Sequence, residues 1–290
     1  MAMPDLIARV ERASAELETM AGAARTLRTP CGAGTMVWRV WGQGPPLLLV
    51  HGGAGAWSHW IRNLPVLMQH HTVIAPDTPG LGDSARPPGS NDPERIADIM
   101  AEGLTAILPE VHTRRSGVDI VGFSFGGLLA GLVAERLASL AGRLVLIGAS
   151  GLGGHFDALQ AVQALPAKAD PATLLAVHRH NLSVMMLHDP AAIDAVALAV
   201  QSVNAPKTRV RSPRYALGTQ LADSLRRSGV RFHSLWGEHC IFSNDLERRR
   251  RLLQSIDMQS RFVVVAGAGH WAQYEAAQTV NRQLLEWIGN

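Results

Sequence analysis

Ser124 sits in Gly122-Phe123-Ser124-Phe125-Gly126, a G-x-S-x-G pattern that follows the apolar run Val118 to Val121 and opens a helical pattern. A serine on a sharp strand-to-helix turn occupies strained backbone, and the flanking glycines remove side chains that would collide across it. Its hydroxyl then stands above the sheet at a helix N-terminus, which favours developing negative charge. That is the chemistry of a nucleophile attacking a carbonyl. Taken alone, the pattern also reads as an N-cap serine followed by packing glycines, but two other features agree with the catalytic reading. His51-Gly52-Gly53-Ala54-Gly55 follows the apolar run Leu47 to Val50. Glycines there let backbone N–H groups turn toward a ligand oxygen, so the N–H groups of Gly53 and Phe125 are the expected oxyanion donors. The loop lacks the Lys and Ser/Thr of a phosphate loop, which argues against nucleotide binding. Phe262 to Val265 runs through small residues into His270, which is placed to act as the base for Ser124. His51 is expected to structure its loop. Gly52, Trp271 beside the base, and Arg211 are the candidate substrate contacts.

Three loops can meet only if a sheet delivers them to one edge. Short apolar runs at Leu47 to Val50, Thr72 to Ala75, Val118 to Val121, Leu144 to Ile147, Val230 to Leu235 and Phe262 to Val265 read as strands buried on both faces, and Thr35 to Trp41 alternates like a strand. Helical patterns fall at 57–69, 93–108, 126–140 and 275–288. Alternating strands and helices predict an α/β fold with a mostly parallel central sheet flanked by helices. Leu6, Val10, Leu17 and Met20 recur at helical spacing, predicting a helical appendage over 1–30, ended by Gly22 and Pro30. Between Gly148 and Val230 lie about 80 residues, far beyond the ~30 of a βαβ step. The expected organisation is a core of 31–150 and 230–290 with a helical cap inserted at 151–229. Cap helices are expected at 155–165, 171–187 and 190–203.

With 290 residues, 47% hydrophobic and 18% charged, the chain can bury a substantial core. A net charge of +3, from 27 Lys and Arg against 24 Asp and Glu, makes no case for nucleic acid. The run Arg248 to Arg251 beside Glu247 reads as a solvated helix face. Cys31 and Cys240 form neither a metal knuckle nor a disulfide framework, so a reducing compartment and no metal or cofactor are expected. The first 20 residues lack the apolar core of a signal peptide, and no stretch is apolar for the ~18 to 20 residues a membrane span needs. A cytoplasmic location without membrane association is therefore expected. Residues 151–229 hold eight Lys and Arg against five Asp, which equals the whole formal excess. A small-molecule substrate, anionic and partly hydrophobic, fits such a cap, and Arg209, Arg211 or Arg214 can clamp a carboxylate, although solvent placement is the commoner fate of any one arginine. A homodimer is compatible with the composition.

The serine turn, the glycine loop and the late histidine, in this order, resemble the α/β-hydrolase family over nearly all of 33–288. Asp77-Thr78-Pro79-Gly80-Leu81-Gly82-Asp83-Ser84 is similar to that family's D-x-P-G-x-G-x-S loop. His51-Gly52-Gly53 with Trp57-Ser58-His59-Trp60, a helical cap and Ser124-Phe125-Gly126-Gly127 resemble capped esterases and the carbon–carbon bond hydrolases of aromatic meta-cleavage pathways. Those relatives act on 2-hydroxy-6-oxo-dienoates. The resemblance implies a serine hydrolase acting on a small carboxylic ester or on a carbon–carbon bond next to a ketone.

One position departs from the family. The triad acid is expected in a W-G-x-x-D pattern, but Trp236-Gly237-Glu238-His239 leads to Cys240. A carboxylate accepts the imidazole Nδ1–H and stabilises the imidazolium; a neutral thiol is a poor acceptor. Glu238 is the favoured substitute acid, with Asp245 the next; Gly148-Ala149-Ser150-Gly151 offers none and Asp157 is remote. Cys240 can otherwise be a thiolate partner of His270, an altered position that leaves a slow enzyme, or a packing residue. Two other functions stay open: a catalytically weakened fold that binds a small ligand, and an acyltransferase.

Overall fold

The computed structural model describes residues 3–111, 117–153, 161–243 and 245–288. The chain opens with α1 (Met3–Gly22) and the antiparallel pair β1 (Arg25–Cys31) and β2 (Gly34–Trp41). It continues through β3 (Pro46–Val50), α2 (Leu64–Leu67), β4 (Thr72–Asp77), α3 (Pro93–Val111), β5 (Val118–Phe123), α4 (Phe125–Leu137) and β6 (Ala141–Ile147). Then come α5 (Pro171–Met185), α6 (Ala195–Asn204), α7 (Gln220–Ser228), β7 (Phe232–Gly237), α8 (Leu246–Ile256), β8 (Phe262–Val265), α9 (Ala272–Glu275) and α10 (Ala277–Ile288).

The eight strands form one sheet in the order β1-β2-β4-β3-β5-β6-β7-β8. β1 and β2 are antiparallel to their neighbours and the rest run parallel. Side chains alternate across the pleat. Leu48 and Val50 of β3 therefore pack with α3 and α4 on one face, while Leu47 and Leu49 pack with α1, α2 and α10 on the other. Both faces are dry, which is why these strands read as unbroken apolar runs rather than alternating ones.

Several local expectations are corrected. Arg25 to Pro30 belongs to the sheet rather than to a helical appendage; its pairing with β2 runs from Arg25 opposite Val40 to Cys31 opposite Gly34. Exposed Arg25 and Arg28 hid this edge strand from an apolar search. The helix expected over 57–69 is split into a 3-10 turn at Trp57–Trp60 and α2, which restarts with Pro65 in its first turn. The pattern over 190–203 divides likewise, because Asp194 caps α6 by accepting the Ala197 N–H at 2.9 Å. Of the helix expected at 155–165, residues 155–160 lie outside the described residues and 162–165 are not helical.

The segment between β6 and β7 is tied to the sheet at several points. Lys207 and Asp83 form a 2.6 Å ion pair, and the Arg209 guanidinium donates to the carbonyls of Gly82 and Ser84. Asn204 donates to Ser58 Oγ at 2.9 Å, and Tyr215 donates to the Asn91 carbonyl at 3.0 Å. Asp194 is held by Arg62 and by the Tyr274 hydroxyl. The Glu275 carboxylate accepts N–H groups from His188, Asp189 and Gly269, joining this segment to the loop after β8. α1 buries Leu6, Val10, Ala13 and Leu17 and packs against α6.

Candidate functional site

β5 ends at Phe123 and α4 begins at Phe125, leaving Ser124 alone to turn the chain, at φ 56° and ψ −120°. The turn works only with glycine around it. A Cβ on Gly122 would lie 2.4 Å from the Gly126 carbonyl oxygen, and one on Gly126 would lie 2.2 Å from that of His51. The Ser124 N–H is bonded to the Ile147 carbonyl at 2.9 Å, so β6 braces the bend. Non-glycine residues at such angles cost on the order of 1–3 kcal/mol.

His270 arrives on the loop after β8, and its Nε2 lies 2.8 Å from Ser124 Oγ. The loop after β7 crosses it so closely that a Cβ on Gly237 would be 1.9 Å from the Gly269 oxygen. That crossing sets Cys240 Sγ 3.1 Å from His270 Nδ1. Phe123 and Phe242 pack on the imidazole with centroid distances of 4.9 and 4.3 Å. Burial depresses the His270 pKa to about 3 and pushes the Cys240 thiol up to about 12. Both groups are therefore neutral near pH 7. A carboxylate at this place would only accept, forcing the proton onto Nδ1 and leaving Nε2 free for the Ser124 proton. A thiol can also donate to Nδ1, and the ring then carries its proton on Nε2, where it cannot act as a base.

Glu238, favoured from the sequence as the acid, is not brought to His270. Its carboxylate accepts the Gly267 N–H at 2.9 Å and lies 3.8 Å from His239 in a half-exposed position. The backbone explains this: the Glu238 N–H is tied to the Val265 carbonyl, which turns the side chain outward over the Gly267 bend. Asp245 is engaged at the start of α8, where it accepts the Arg248 N–H at 2.8 Å. Asp157 lies outside the described residues. Behind Cys240 sits Arg249, part-buried on α8, donating to the Leu152 and Phe242 carbonyls. Among the described residues no carboxylate pairs with it. The thiol feels its positive charge. Arg250 and Arg251 meet Glu247, but Arg249 and Arg250, the latter stacked over the Phe262 ring at 4.8 Å, depart from the solvated face expected for the arginine run.

Gly53 and Phe125 line a cavity of about 420 Å³ together with Ser124 and His270. Phe125 is the first residue of α4, so its N–H has no acceptor within the helix. Met185, Gln201 and Arg211 close the cavity from the segment between β6 and β7, and its wall is mostly apolar. His51 is a strut. The Thr78 N–H donates to its Nε2 at 3.0 Å, so Nδ1 carries the proton given to the Gly52 carbonyl at 2.8 Å. Two candidate substrate contacts are corrected. Trp271 does not line the cavity; it is buried, stacks on Tyr274 at 4.2 Å and donates to the His59 carbonyl. Gly52 supports the Phe123 ring, which a Cβ would meet at 2.9 Å. Arg211 does reach the cavity, from an exposed position. Sequence reasoning gave no site role to His59, although it lies in the Trp57-Ser58-His59-Trp60 stretch, nor to Ser212 and Arg249. Among the described residues, no group of three or more His, Cys, Asp or Glu could hold a metal ion. No helix there is long and apolar enough to cross a membrane.

Neutral buried histidines make the fold acid-sensitive. Burial lowers the pKa of His59 well below 6.5, with His51 and His270 adding to the effect, and burial lowers that of His270 to about 3. Below pH 6.5 the unfolded chain binds protons that the native chain refuses, so stability is full above that value and falls as pH drops toward the folded pKa. His270 should cost about 2 kcal/mol by pH 5, and His59 adds to the loss in the same direction. Urea midpoints measured from pH 7.5 to 5 should fall steadily; a flat profile would contradict the burial of these rings.

A model of the Alpha/beta hydrolase family matches residues 47–283. The chain is 40% identical over 125 residues to a 2-hydroxy-6-oxo-2,4-heptadienoate hydrolase of Pseudomonas putida, covering 42% of this chain and 44% of that protein. It is 29% identical over 257 residues to a dihydrolipoyllysine-residue acetyltransferase component of an acetoin cleaving system, also of Pseudomonas putida, covering 84% of this chain and 64% of that protein. These matches span less than two thirds of either relative. Among solved structures, an esterase from a Rhodococcus species superposes with a TM-score of 0.73 at 21% identity, covering 92% of this chain and 99% of that one, a likeness of fold.

Proposed function

The chain belongs to the alpha/beta hydrolase family, and on that premise we propose that it is a serine hydrolase for a small carboxylic ester or for a carbon–carbon bond beside a ketone. One observation carries the proposal: Ser124, held on its strained turn at the cavity wall, has its Oγ 2.8 Å from His270 Nε2, an imidazole nitrogen placed to take its proton. In the Nδ1–H tautomer, His270 Nε2 accepts the Ser124 proton as Oγ bonds to the substrate carbonyl carbon. The carbonyl π pair moves onto oxygen, which meets the N–H groups of Gly53 and Phe125. Collapse breaks the bond to the leaving group, to which His270 returns the proton, giving an alcohol from an ester or an enol carbon fragment from a ketone. Water repeats the sequence on the acyl-serine and releases the acid.

In this reading residues 151–229 are a cap that walls the pocket, and 31–150 with 230–290 are the core. Arg211 at the cavity rim, and the basic excess of the cap, favour an anionic, partly hydrophobic substrate. The hydrolases among the relatives point the same way. A second reading, a weakened fold that binds a small ligand, is favoured by the neutral thiol at Cys240.

An alkyl fluorophosphonate separates the two. Intact mass should rise by one phosphonyl group, mapped to Ser124, and Ser124→Ala should not react. A protein that binds apolar ligands in the cavity yet remains unlabelled after prolonged exposure would support the binding module instead.

A further inference from the structure

Gly53 is closed in from above by the return of the segment between β6 and β7. A Cβ added at Gly53 would lie 1.9 Å from Ser212 Oγ and 3.8 Å from the Phe125 Cβ. The Ser212 hydroxyl therefore rests against the Cα of Gly53, on the side toward the Phe125 Cβ, and Ser212 lines the cavity with both residues. Among the described residues it has no hydrogen-bond partner, so its proton is free to follow a ligand. We propose that the Ser212 hydroxyl is a third donor to the oxyanion, beside the Gly53 and Phe125 N–H groups.

The proposal rests on the hydrolytic reading and adds to it a side chain from outside the sheet. Preorganisation is what makes such a donor effective, because a group already held in place spends nothing on reorganising as charge develops. Ser212 is held on both sides. Upstream, the Arg209 N–H is bonded to the Gly80 carbonyl at 2.9 Å and its guanidinium grips the Gly82 and Ser84 carbonyls. Downstream, Tyr215 donates to the Asn91 carbonyl and stacks on Phe125 at a centroid distance of 6.0 Å. The same stretch thus contacts Gly53 through Ser212 and Phe125 through Tyr215. Position 53 then serves twice: its backbone N–H faces the oxyanion, and the side chain that glycine lacks leaves room for Ser212.

The test compares wild type, Ser212→Ala, Ser212→Thr and Ser124→Ala on p-nitrophenyl acetate, with inhibition by a phenyl trifluoromethyl ketone, whose hemiketal with Ser124 places an oxyanion in the hole. Ser212→Ala should lower kcat by about 10²-fold, the loss typical of one oxyanion donor. KM should stay within about twofold, and the ketone should bind more weakly by a comparable factor. Ser212→Thr, which keeps the hydroxyl, should recover most of both. An unchanged kcat and an unchanged ketone affinity in Ser212→Ala, with Ser124→Ala slowed by about 10²-fold, would overturn the role of Ser212 and leave the hydrolase reading standing. Turnover by Ser124→Ala equal to wild type would sink the hydrolase reading itself, and this inference with it.

Discussion

Cys240→Asp should raise kcat on an activated aryl ester by about 10⁴-fold, the size of the loss when a serine triad's acid is made unable to fix the imidazole tautomer. The geometry is already in place, since Sγ lies 3.1 Å from His270 Nδ1 and an aspartate oxygen can occupy that space. The surroundings suit a carboxylate better than they suit a thiol. Arg249 brings a positive charge close to residue 240 and has no carboxylate partner among the described residues, so an aspartate there would not be an unpaired buried charge. The exchange changes only what the acceptor can do: a carboxylate cannot donate to Nδ1, and it stabilises the imidazolium that forms when Ser124 loses its proton. Steady-state rates of the two proteins, with circular dichroism to establish that both are folded, check this. Equal rates would mean that His270 already holds the productive tautomer against sulfur.

The second expectation concerns how two substitutions combine. Triad members act as a unit, and removing the nucleophile from a complete triad costs about 2 × 10⁶ in kcat, whereas removing the acid alone costs about 3 × 10⁴. If the acid is already missing, little of the triad's contribution remains to be lost. Ser124→Ala should therefore lower kcat by only about 10²-fold in the natural chain, and by about 10⁶-fold when made in the Cys240→Asp protein. The four proteins form a double-mutant cycle, and the expected coupling is about 10⁴-fold. A cycle that closes additively would mean that Ser124 and residue 240 do not share one proton path.

The parts of the fold that were legible in the sequence are those whose signal is local. The strands of the parallel region bury both faces, so Leu47 to Val50 and Val118 to Val121 stand out as apolar runs, and the turn glycines mark where each run ends. β1 was missed because edge strands carry charged side chains, and Arg25 and Arg28 mask its pairing with β2. Ser124, Gly53 and His270 are each announced by the strand before them. Glu238 was preferred for its charge and its nearness in sequence, and only the three-dimensional path of the β7 exit turns it toward Gly267. Arg249 and Ser212 could not have been found by motif, since one comes from a helix beyond the acid loop and the other from the return of the long insertion. Their significance lies in what they touch, and sequence spacing carries no record of that.

The backbone of Ser124 bears on whether this chain still does chemistry. At φ 56° a glycine would sit without penalty and a serine does not. Replacing Ser124 by glycine would relieve on the order of 1–3 kcal/mol of strain, enough to matter in a protein whose whole margin of stability is about 5–15 kcal/mol. A lineage that had given up catalysis would have an easy route to a sturdier fold at this one residue. The chain instead carries a hydroxyl at a strained position, which weighs against an idle scaffold even though sulfur stands where a carboxylate would serve it better.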